Sequence, residues 1–296
     1  MKITVFTPTY NRAYILETLY RSIQRQTFRD FEWLIIDDGS TDNTEELVAG
    51  WKKEGKGFPI RYYKQSNGGK CRAINKALDL AEGELFFTID SDDYLADDAL
   101  EKVASWTADL PGKEKYCGVA GNCGTGLNET PNTLFDDEYY EGTLLDRYIN
   151  VDGERACVFF TETHKKYKYP GFEDEKFMTE AVAWNRMAHD GLLMRFYDDV
   201  IWIYEYQEDG LTKAGNQLFL RNPQGYALWL REKAEFSGAD FREKFKLWYM
   251  YYCEMSFCEE AYRLTKKQCA DYIGAPLWAI QAAALIHRMK GYKQEK

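Results

Sequence analysis

Three carboxylates stand within the four residues 90–93 (DSDD), directly after the apolar run ELFFTI. Carboxylates this close repel one another, and folding alone gives no reason to place them at the end of a strand. A divalent cation such as Mg²⁺ or Mn²⁺ would relieve the repulsion, and it could bridge a diphosphate and stabilise it as a leaving group. The alternative is a solvated acidic turn that caps the next helix, and this segment alone does not decide between the two.

Two further polar segments follow apolar runs. In DDGS at 37–40, the Asp38 carboxylate can accept the imide N–H of a uracil ring, or it can cap the next helix. In NGGKCR at 67–72, the glycines permit close backbone approach, and a helix N-terminus beside Lys70 and Arg72 favours an anion such as diphosphate. The spacing of a Walker motif is missing, and a tight turn before a capped helix is the alternative.

A fourth polar segment, TPTYNR at 7–12, follows the first apolar run. The ring of Tyr10 can stack on a nucleotide base, and Arg12 can face a phosphate or an acid of the DDGS segment. The alternative is an ordinary connection between a strand and a helix.

The elements that must position these segments alternate between strand and helix patterns over residues 1–123. Apolar runs predict strands at 2–7, 31–37, 60–65, 84–90 and 116–122, and helical spacing predicts helices at 12–26, 44–53, 70–81 and 97–108. This alternation predicts an α/β fold with a mostly parallel central sheet flanked by helices. Because ligands bind beyond the carboxyl ends of parallel strands, we expect the polar segments to converge at one edge of the sheet.

Beyond residue 123 the pattern is less regular. It indicates a polar loop at 124–150, a strand at 155–161, a helix at 176–189 and one or two strands at 192–206. From about residue 217 the apolar and aromatic residues recur every three or four positions, which predicts a C-terminal helical extension over 217–296. Its Tyr and Trp residues at 226–257 either pack the helices together or face a lipid-linked or polymeric acceptor.

Composition narrows the function classes. The net charge is −10 and the longest basic cluster is residues 164–168, so nucleic acid is excluded as a partner. Seven cysteines at irregular spacings form no CxxC pair, which favours reduced thiols. No apolar stretch has the length of a signal peptide or a membrane span. We therefore expect a cytoplasmic protein, at most peripheral to a membrane, and its oligomeric state is left open.

The order of the four polar segments strongly resembles the donor-binding half of the family 2 inverting glycosyltransferases with the GT-A fold, over about residues 1–100. The resemblance implies a nucleotide diphosphate sugar donor (by family tendency a UDP-sugar), a divalent metal (Mn²⁺ or Mg²⁺), and a hydroxyl acceptor on a glycan or lipid-linked glycan. By motif position, it implies that Pro8, Tyr10 and Asp38 frame the base, Arg12, Asn67, Lys70 and Arg72 lie along the donor, Asp90 and Ser91 lie near the ribose, and Asp92 ligates the metal. Residues 1–123 would then be the donor-binding half and 124–216 the acceptor-binding and catalytic half of one domain.

Inversion by direct displacement needs one base opposite the leaving diphosphate. Members of this family commonly carry a Glu-Asp pair followed by a Trp and then an Arg. Aligning Trp184 and Arg186 with that pattern puts Glu180 at the position of the Asp, with Thr replacing the preceding Glu. We therefore expect Glu180 to be the base, with Glu173 or Asp174 as the alternative base or as acceptor contacts.

Two more residues have roles that the resemblance leaves open. Trp184 is either a core residue or a platform for the acceptor. The segment 204–213 resembles the late loop that closes over the donor in this family, which would bring Lys213 to the diphosphate.

Other functions fit less well. A phosphatase of the haloacid dehalogenase type would use Asp90 as nucleophile and would need Thr or Val at position 94, which is Tyr94, and its motif would follow the first strand. A nucleotidyltransferase would have a Gly-rich first loop, and TPTYNR contains no Gly. A non-catalytic sugar-nucleotide or carbohydrate-binding protein with the same fold remains open. Bacterial surface polysaccharide synthesis is the pathway that the resemblance favours.

Overall fold

The structure is a computed structural model that describes residues 1–55, 57–127, 129–146, 149–205 and 215–294, with the backbone alone for 290–294. The chain forms two compact units, one of residues 1–169 and 186–208 and the other of residues 170–185 and 209–296. Each unit has its own cluster of buried apolar side chains.

Nine strands in the described part of the first unit form one sheet. They are β1 (Ile3–Thr9), β2 (Phe31–Asp37), β3 (Ile60–Lys64), β4 (Leu85–Thr88), β5 (Tyr94–Leu95), β6 (Tyr116–Gly124), β7 (Tyr139–Thr143), β8 (Arg155–Phe160) and β9 (Leu193–Ile203). Their order is β3-β2-β1-β4-β8-β6-β9-β5, and β7 pairs with β9. The predicted α/β fold with a central sheet is confirmed.

The sheet is parallel where the polar segments are and mixed elsewhere. Strands β3, β2, β1 and β4 are parallel neighbours, with Thr9 of β1 opposite Asp37 of β2. Strand β8 runs antiparallel to both β4 and β6. Strand β7 lies in the stretch that was expected to be a loop. It was not predicted, because its residues are exposed or half-buried and give no apolar run.

Six α-helices lie between residues 16 and 189 of the described chain. They are α1 (Leu16–Arg25), α2 (Thr44–Glu54), α3 (Lys70–Leu80), α4 (Ala99–Ala108), α5 (Thr161–His164) and α6 (Ala181–His189). Helix α1 begins four residues later than predicted, because Asn11 has a φ of 54° and residues 12–15 form a turn ahead of the helix.

The central strands of the first unit could be predicted from apolar runs because their residues are buried in its core. All seven residues of β2 are buried, as expected for a strand covered on both faces. Trp33 of this strand lies in a stack with Tyr20 and Trp51, whose ring centroids are 4.3–5.9 Å apart. This stack fixes β2 against α1 and α2.

The second unit contains the predicted C-terminal helical region. Its helices are α7 (Asn216–Leu220), α8 (Pro223–Phe236), α9 (Phe241–Phe257), α10 (Lys266–Ile273) and α11 (Leu277–Gln294). Capping boxes begin α9 at Asp240 and α10 at Thr265, and Tyr251, Met255 and Ile273 lie in the core between the helices. Within the described ranges, no helix has both the length and the apolarity needed to span a bilayer.

Candidate active site

Hydrogen bonds join the segment that follows β1 to the segment that follows β2. The side-chain oxygen of Asn11 accepts from the backbone N–H of Thr41 at 2.7 Å, and the backbone N–H of Asn11 donates to the hydroxyl of Ser40 at 2.8 Å. The backbone N–H of Ala13 donates to the carboxylate of Asp42 at 3.0 Å. Asn tolerates the left-handed backbone that this arrangement requires. The network fixes the backbone on both sides of Tyr10 and Arg12.

Pro8, Tyr10 and Arg12, which were predicted to bind the sugar donor, differ in how far their side chains are exposed. Pro8 is half-buried at the end of β1, whereas the ring of Tyr10 is 48% exposed. The guanidinium of Arg12 donates to the hydroxyl of Tyr14 at 2.6 Å and lies 3.9 Å from the carboxylate of Asp92. Arg12 therefore connects the loop after β1 with the acids after β4.

Asp38 holds the loop that precedes α3. Its carboxylate is buried and accepts from the side-chain amide of Gln65 at 2.7 Å, from the backbone N–H of Gly68 at 2.9 Å, and from that of Gly69 at 2.7 Å. The side-chain amide of Asn67 donates to the backbone carbonyl of Asp38 at 2.9 Å. The carboxylate that was predicted to meet a nucleotide base thus also accepts three hydrogen bonds from the loop between β3 and α3.

Two glycines allow this loop to lie against the end of β2. Gly39 has a φ of 90°, and a Cβ there would lie only 3.0 Å from the backbone nitrogen of Asn67. Gly69 has a φ of 91° and directly precedes α3. Both positions are in the left-handed region that favours glycine. The loop therefore presents backbone N–H groups and the start of α3 at the same edge as Asp38.

Lys70 connects the start of α3 to the acidic segment. Its ammonium lies 2.7 and 3.0 Å from the two carboxylate oxygens of Asp90. Arg72, one turn into the helix, donates to the carbonyl of Gly68 at 3.3 Å. The structure therefore brings together the donor residues that the sequence predicted in the loop and after β4.

Burial and, to a smaller extent, mutual repulsion raise the pKa values of two acids after β4. Burial and the nearby charge of Asp90 raise the pKa of Asp92 above its ordinary value. The same two causes raise the pKa of Asp93 to about 7, although its carboxylate accepts from the indole N–H of Trp202 at 2.8 Å. Ser91, between Asp90 and Asp92, is buried. The cluster holds more negative charge than its protein partners neutralise.

The carboxylate oxygens of this acidic cluster are suitable ligands for a hard divalent cation. Asp92 offers carboxylate oxygens at a half-buried position, where burial and then the charge of Asp90 raise its pKa. Among the residues that the structure describes, no three His, Cys, Asp or Glu side chains form a complete metal site. Mg²⁺ typically binds through one or two carboxylates together with substrate phosphates, so a lone Asp92 is compatible with that mode.

The predicted acceptor residues belong to the second unit. Glu180 is half-buried and directly precedes α6, and Trp184 is half-buried within that helix. Glu173 and Asp174 are exposed. The next acid, Glu175, is buried and accepts hydrogen bonds of 2.6 and 2.8 Å from backbone N–H groups at the start of α8, so it caps that helix. Lys213 and residues 206–214 of the late loop lie outside the described residues.

We call the edge of the sheet where residues 7–12, 37–40, 67–72 and 90–93 lie the strand-end edge. Three residues that hold it together were not predicted from the sequence. Asn11 joins the first two loops, Gln65 binds the carboxylate of Asp38, and Asp93 contacts Trp202 of β9. The tolerance of Asn for left-handed backbone was a usable signal for Asn11. The partners of Gln65 and Asp93 are 27 and 109 residues away, and no local pattern indicates them.

Residues 4–164, which include β1–β4 and every polar segment described above, match the family described as glycosyl transferase family 2. The chain belongs to glycosyl transferase family 2. This family 2 protein is therefore a glycosyltransferase, and the expectation of an enzyme is confirmed.

The relatives of this chain include two bacterial glycosyltransferases. The chain is 33% identical over 236 residues to a GalNAc(5)-diNAcBac-PP-undecaprenol β-1,3-glucosyltransferase of Campylobacter jejuni, an alignment that covers 76% of this chain and 72% of the relative. It is 30% identical over 151 residues to the poly(ribitol-phosphate) β-N-acetylglucosaminyltransferase TarS of Staphylococcus aureus, covering 50% of this chain and 26% of that one.

Solved structures confirm the fold of this family 2 chain. S. aureus TarS 1–349 in complex with UDP-GlcNAc superposes with a TM-score of 0.62 at 18% identity, covering 98% of this chain and 92% of that one. The mannosyltransferase PcManGT from Pyrobaculum calidifontis, in complex with GDP-Man and Mn²⁺, gives 0.55 at 18% identity, covering 96% and 86%. The predicted GT-A fold is therefore confirmed.

Proposed function

We propose that this enzyme transfers a sugar from a UDP-sugar to a hydroxyl of a growing glycan, with inversion at the anomeric carbon and with a divalent cation. The observation that carries the proposal is the connected edge at the ends of β1, β2 and β4. There Asp38 holds the loop before α3, Lys70 pairs with Asp90, and Arg12 lies beside Asp92. Such an edge offers a ring, backbone N–H groups, two cations and a cluster of acids to one nucleotide diphosphate.

Each part of the donor has a chemically matched group. The exposed ring of Tyr10 and the adjacent Pro8 would frame the base, with Asp38 accepting its imide N–H through a remaining lone pair. Asn67, Lys70 and Arg72 would lie along the diphosphate, where a helix N-terminus favours negative charge. Asp90 and Ser91 would contact the ribose. Uracil is favoured because TarS, which is 30% identical over 151 residues and superposes with a TM-score of 0.62, was crystallised with UDP-GlcNAc, whereas PcManGT, with a TM-score of 0.55, holds GDP-Man.

Asp92 would hold the cation, which supplies Lewis-acid stabilisation of the departing diphosphate. Lys70 and Arg12 add positive charge on the protein side. With a phosphate present, the pairing of Lys70 with Asp90 would loosen, because the ammonium can then share its hydrogen bonds with phosphate oxygens. Asp90 would still be needed to keep Lys70 in place before the donor binds.

Glu180 would act as the general base. Its carboxylate would take the proton of the acceptor hydroxyl as the oxygen attacks the anomeric carbon, while the bond from that carbon to the diphosphate oxygen breaks and UDP leaves. Glu173 and Asp174 are the alternative bases, although both are exposed to solvent, whereas Glu180 is half-buried. In this proposal residues 1–123 bind donor, 124–216 bind acceptor, and 217–296 form an extension.

The acceptor class follows from the relatives. The Campylobacter relative is named for an undecaprenyl diphosphate-linked glycan and TarS for poly(ribitol phosphate). We therefore propose a polysaccharide or lipid-linked glycan as acceptor, in polysaccharide biosynthesis. The Trp184 ring is a candidate platform for its terminal sugar.

The first test measures UDP or GDP release from UDP-GlcNAc, UDP-glucose and GDP-mannose with Mn²⁺ and with chelator. Asp92→Asn should lower kcat by on the order of 10³-fold, because the cation loses its protein ligand. Asp97→Asn is the control, since that exposed carboxylate only pairs with Arg25 on the surface. Turnover that survives chelator, full activity of Asp92→Asn, or exclusive use of GDP-mannose would each overturn the corresponding part of the proposal.

The second arm of this test identifies the base. Glu180→Gln should lower kcat by on the order of 10²- to 10⁴-fold with little change in the KM for donor, because only proton transfer is lost. Glu173→Gln and Asp174→Asn should keep activity. A reversed result would move the base to residues 173–174. The anomeric configuration of the first-formed product, read by NMR, distinguishes inversion from retention.

A further inference from the structure

Helix α11 is apolar on the side that faces water as well as on the side that faces the core. Its inward residues Ala279, Ile280 and Ala283 are fully buried. Its outward side carries large apolar side chains that are 44–60% exposed: Leu277, Trp278, Leu285 and Met289. The exposed Gln281 lies on the same side between Trp278 and Leu285. A surface helix normally has a polar outward face, so a mostly apolar face of this kind indicates a surface that docks on something else.

The charges on this helix have the opposite sign to the protein as a whole. Residues 277–294 contain no Asp or Glu, whereas the chain has a net charge of −10. Arg288 is exposed within the apolar face. We call the face formed by Leu277, Trp278, Leu285, Arg288 and Met289 the docking face.

An open groove of about 480 Å³ adjoins the docking face and shares Leu285 and Arg288 with it. Its other walls are Tyr252 and Phe257 from α9, Lys266 from α10, and Ala284 and His287 from α11. None of the residues that line it is acidic. The groove thus combines apolar walls with cations, which suits the phosphate head group and upper acyl chain of an anionic lipid.

Aromatic rings extend the docking face at the start of α11. Phe241, at the beginning of α9, is 60% exposed and stacks on Trp278 with centroids 6.2 Å apart. Trp248 meets Phe241 edge to face at 6.1 Å. Exposed Trp beside Arg and Lys is typical of protein surfaces that lie at the boundary between head groups and acyl chains.

We infer that the docking face binds an anionic membrane surface, with Trp278, Leu285 and Met289 entering the head-group boundary and Arg288 and Lys266 contacting lipid phosphates. A second copy of the chain fits less well. Two docking faces related by a two-fold axis would bring Arg288 and Lys266 of each copy into the same interface, and residues 277–294 offer no acid to pair with them. The inference deepens the proposed function by locating where the enzyme would meet a membrane, but its test does not depend on sugar transfer.

The test is co-sedimentation of the full chain with phosphatidylcholine vesicles that contain about one third phosphatidylglycerol. The wild-type chain should pellet with these vesicles. The triple variant W278S/L285Q/M289Q should lower the partition coefficient by at least about tenfold, because three apolar side chains no longer enter the boundary. Lys266→Gln and Arg288→Gln should each lower it by about fivefold on anionic vesicles only, with the difference lost at high salt.

The matched control removes equally exposed apolar side chains from the first unit. Leu127, Leu134 and Ile149 are 60–82% exposed, and the variant L127Q/L134Q/I149Q should bind vesicles like the wild type. The inference is overturned if the wild-type chain stays in the supernatant or if both triple variants bind equally. It is also overturned if light scattering without vesicles shows a dimer that W278S/L285Q/M289Q dissociates, because the docking face would then cover a second copy.

Discussion

The strand-end edge of the first unit and the docking face of α11 differ in what their functional side chains contact. At the strand ends the polar groups have protein partners, such as the three donors to Asp38 and the contact of Lys70 with Asp90. On the docking face the apolar side chains of Trp278 and Leu285 are more than half exposed. One region holds its side chains in place before a ligand arrives, and the other leaves apolar surface to be covered.

The difference matters for how each region tolerates change. Preorganised polar groups cost free energy when a partner is lost, since the remaining buried donor or acceptor is left unsatisfied. Exposed apolar groups already forgo most of the free energy of burial, so their removal changes folding little. We therefore expect substitutions at the strand ends to alter catalysis and those on the docking face to alter surface binding alone.

The largest expected contrast comes from the same truncation made in the core of the first unit and on the docking face. Leu100 in α4 is fully buried, whereas Leu285 is 60% exposed. Leu100→Ala should lower the free energy of unfolding by about 2–5 kcal/mol through lost burial and a cavity. Leu285→Ala should change it by less than about 0.5 kcal/mol. Urea titration of both variants measures the two values.

A large loss from Leu285→Ala would break the comparison. It would mean that Leu285 supports the packing of α9 and α11 and that the docking face is part of the core of the second unit. The expected small change, together with weaker vesicle binding of W278S/L285Q/M289Q, would separate the docking role of this face from any role in folding.

The second contrast concerns the acceptor that organises the strand-end edge. Asp38→Asn keeps the shape of the side chain but removes the charge and turns an N–H₂ group toward the N–H groups of Gly68 and Gly69. Weakening these charge-assisted bonds should cost about 1.5–3 kcal/mol in donor binding, which is about 10- to 100-fold in the KM for donor. Asp137→Asn, an exposed acid of the same unit, should leave the KM unchanged.

An unchanged KM in Asp38→Asn would show that the loop before α3 keeps its position without the carboxylate. The measurement also tests the sequence-based expectation for Asp38. If the carboxylate serves only the loop, exchanging the uracil donor for one with another base should change the KM of wild type and variant by the same factor. Contact with the imide N–H predicts different factors.

The elements that form the strand-end edge were predicted well, because apolar runs and glycines near each other in the chain determine them. Strand β2 was predicted at its observed bounds, since a central strand covered on both faces reads as an apolar run. The start of α3 at Lys70 followed from Gly68-Gly69. Strand β7 was missed, because an exposed strand paired through its backbone leaves no apolar pattern.

Contacts between distant residues lay beyond the sequence. The hydrogen bonds from Gln65 and Gly68 to Asp38 span 27 and 30 residues, so the acid was recognisable but its loop-holding role was not. The docking face was hidden for another reason. Apolar residues recur all around α11, and only the packing against α9 and α10 determines which of them remain in water.

The imidazole of His164 is one of several polar groups in the first unit that have a buried atom without a hydrogen-bond partner among the described residues. His164 at the end of α5 is 2% exposed, and neither ring nitrogen has a hydrogen-bond partner among the described residues. Its ring lies 4.7 Å from that of Phe159 and 5.7 Å from that of Phe86. Burial therefore lowers the pKa of His164 from its ordinary 6.5 to about 3.

This lowered pKa predicts a dependence of stability on pH. Below about pH 6.5 the unfolded chain binds a proton at His164 that the folded chain does not bind until about pH 3. The folded state should therefore lose about 1.4 kcal/mol for each pH unit below 6.5, or about 2 kcal/mol near pH 5. In His164→Leu this pH-dependent loss of stability should be absent. The unfolding free energy of the variant should therefore rise relative to that of the wild type as the pH falls. Urea titrations of both proteins at pH 8 and near pH 5 measure it, with the pH 8 values giving the cost of the substitution itself. An equal pH dependence in the two proteins would mean that the imidazole reaches water or a hydrogen-bond partner when protonated, and the aromatic surroundings of His164 would then have to open without unfolding the unit.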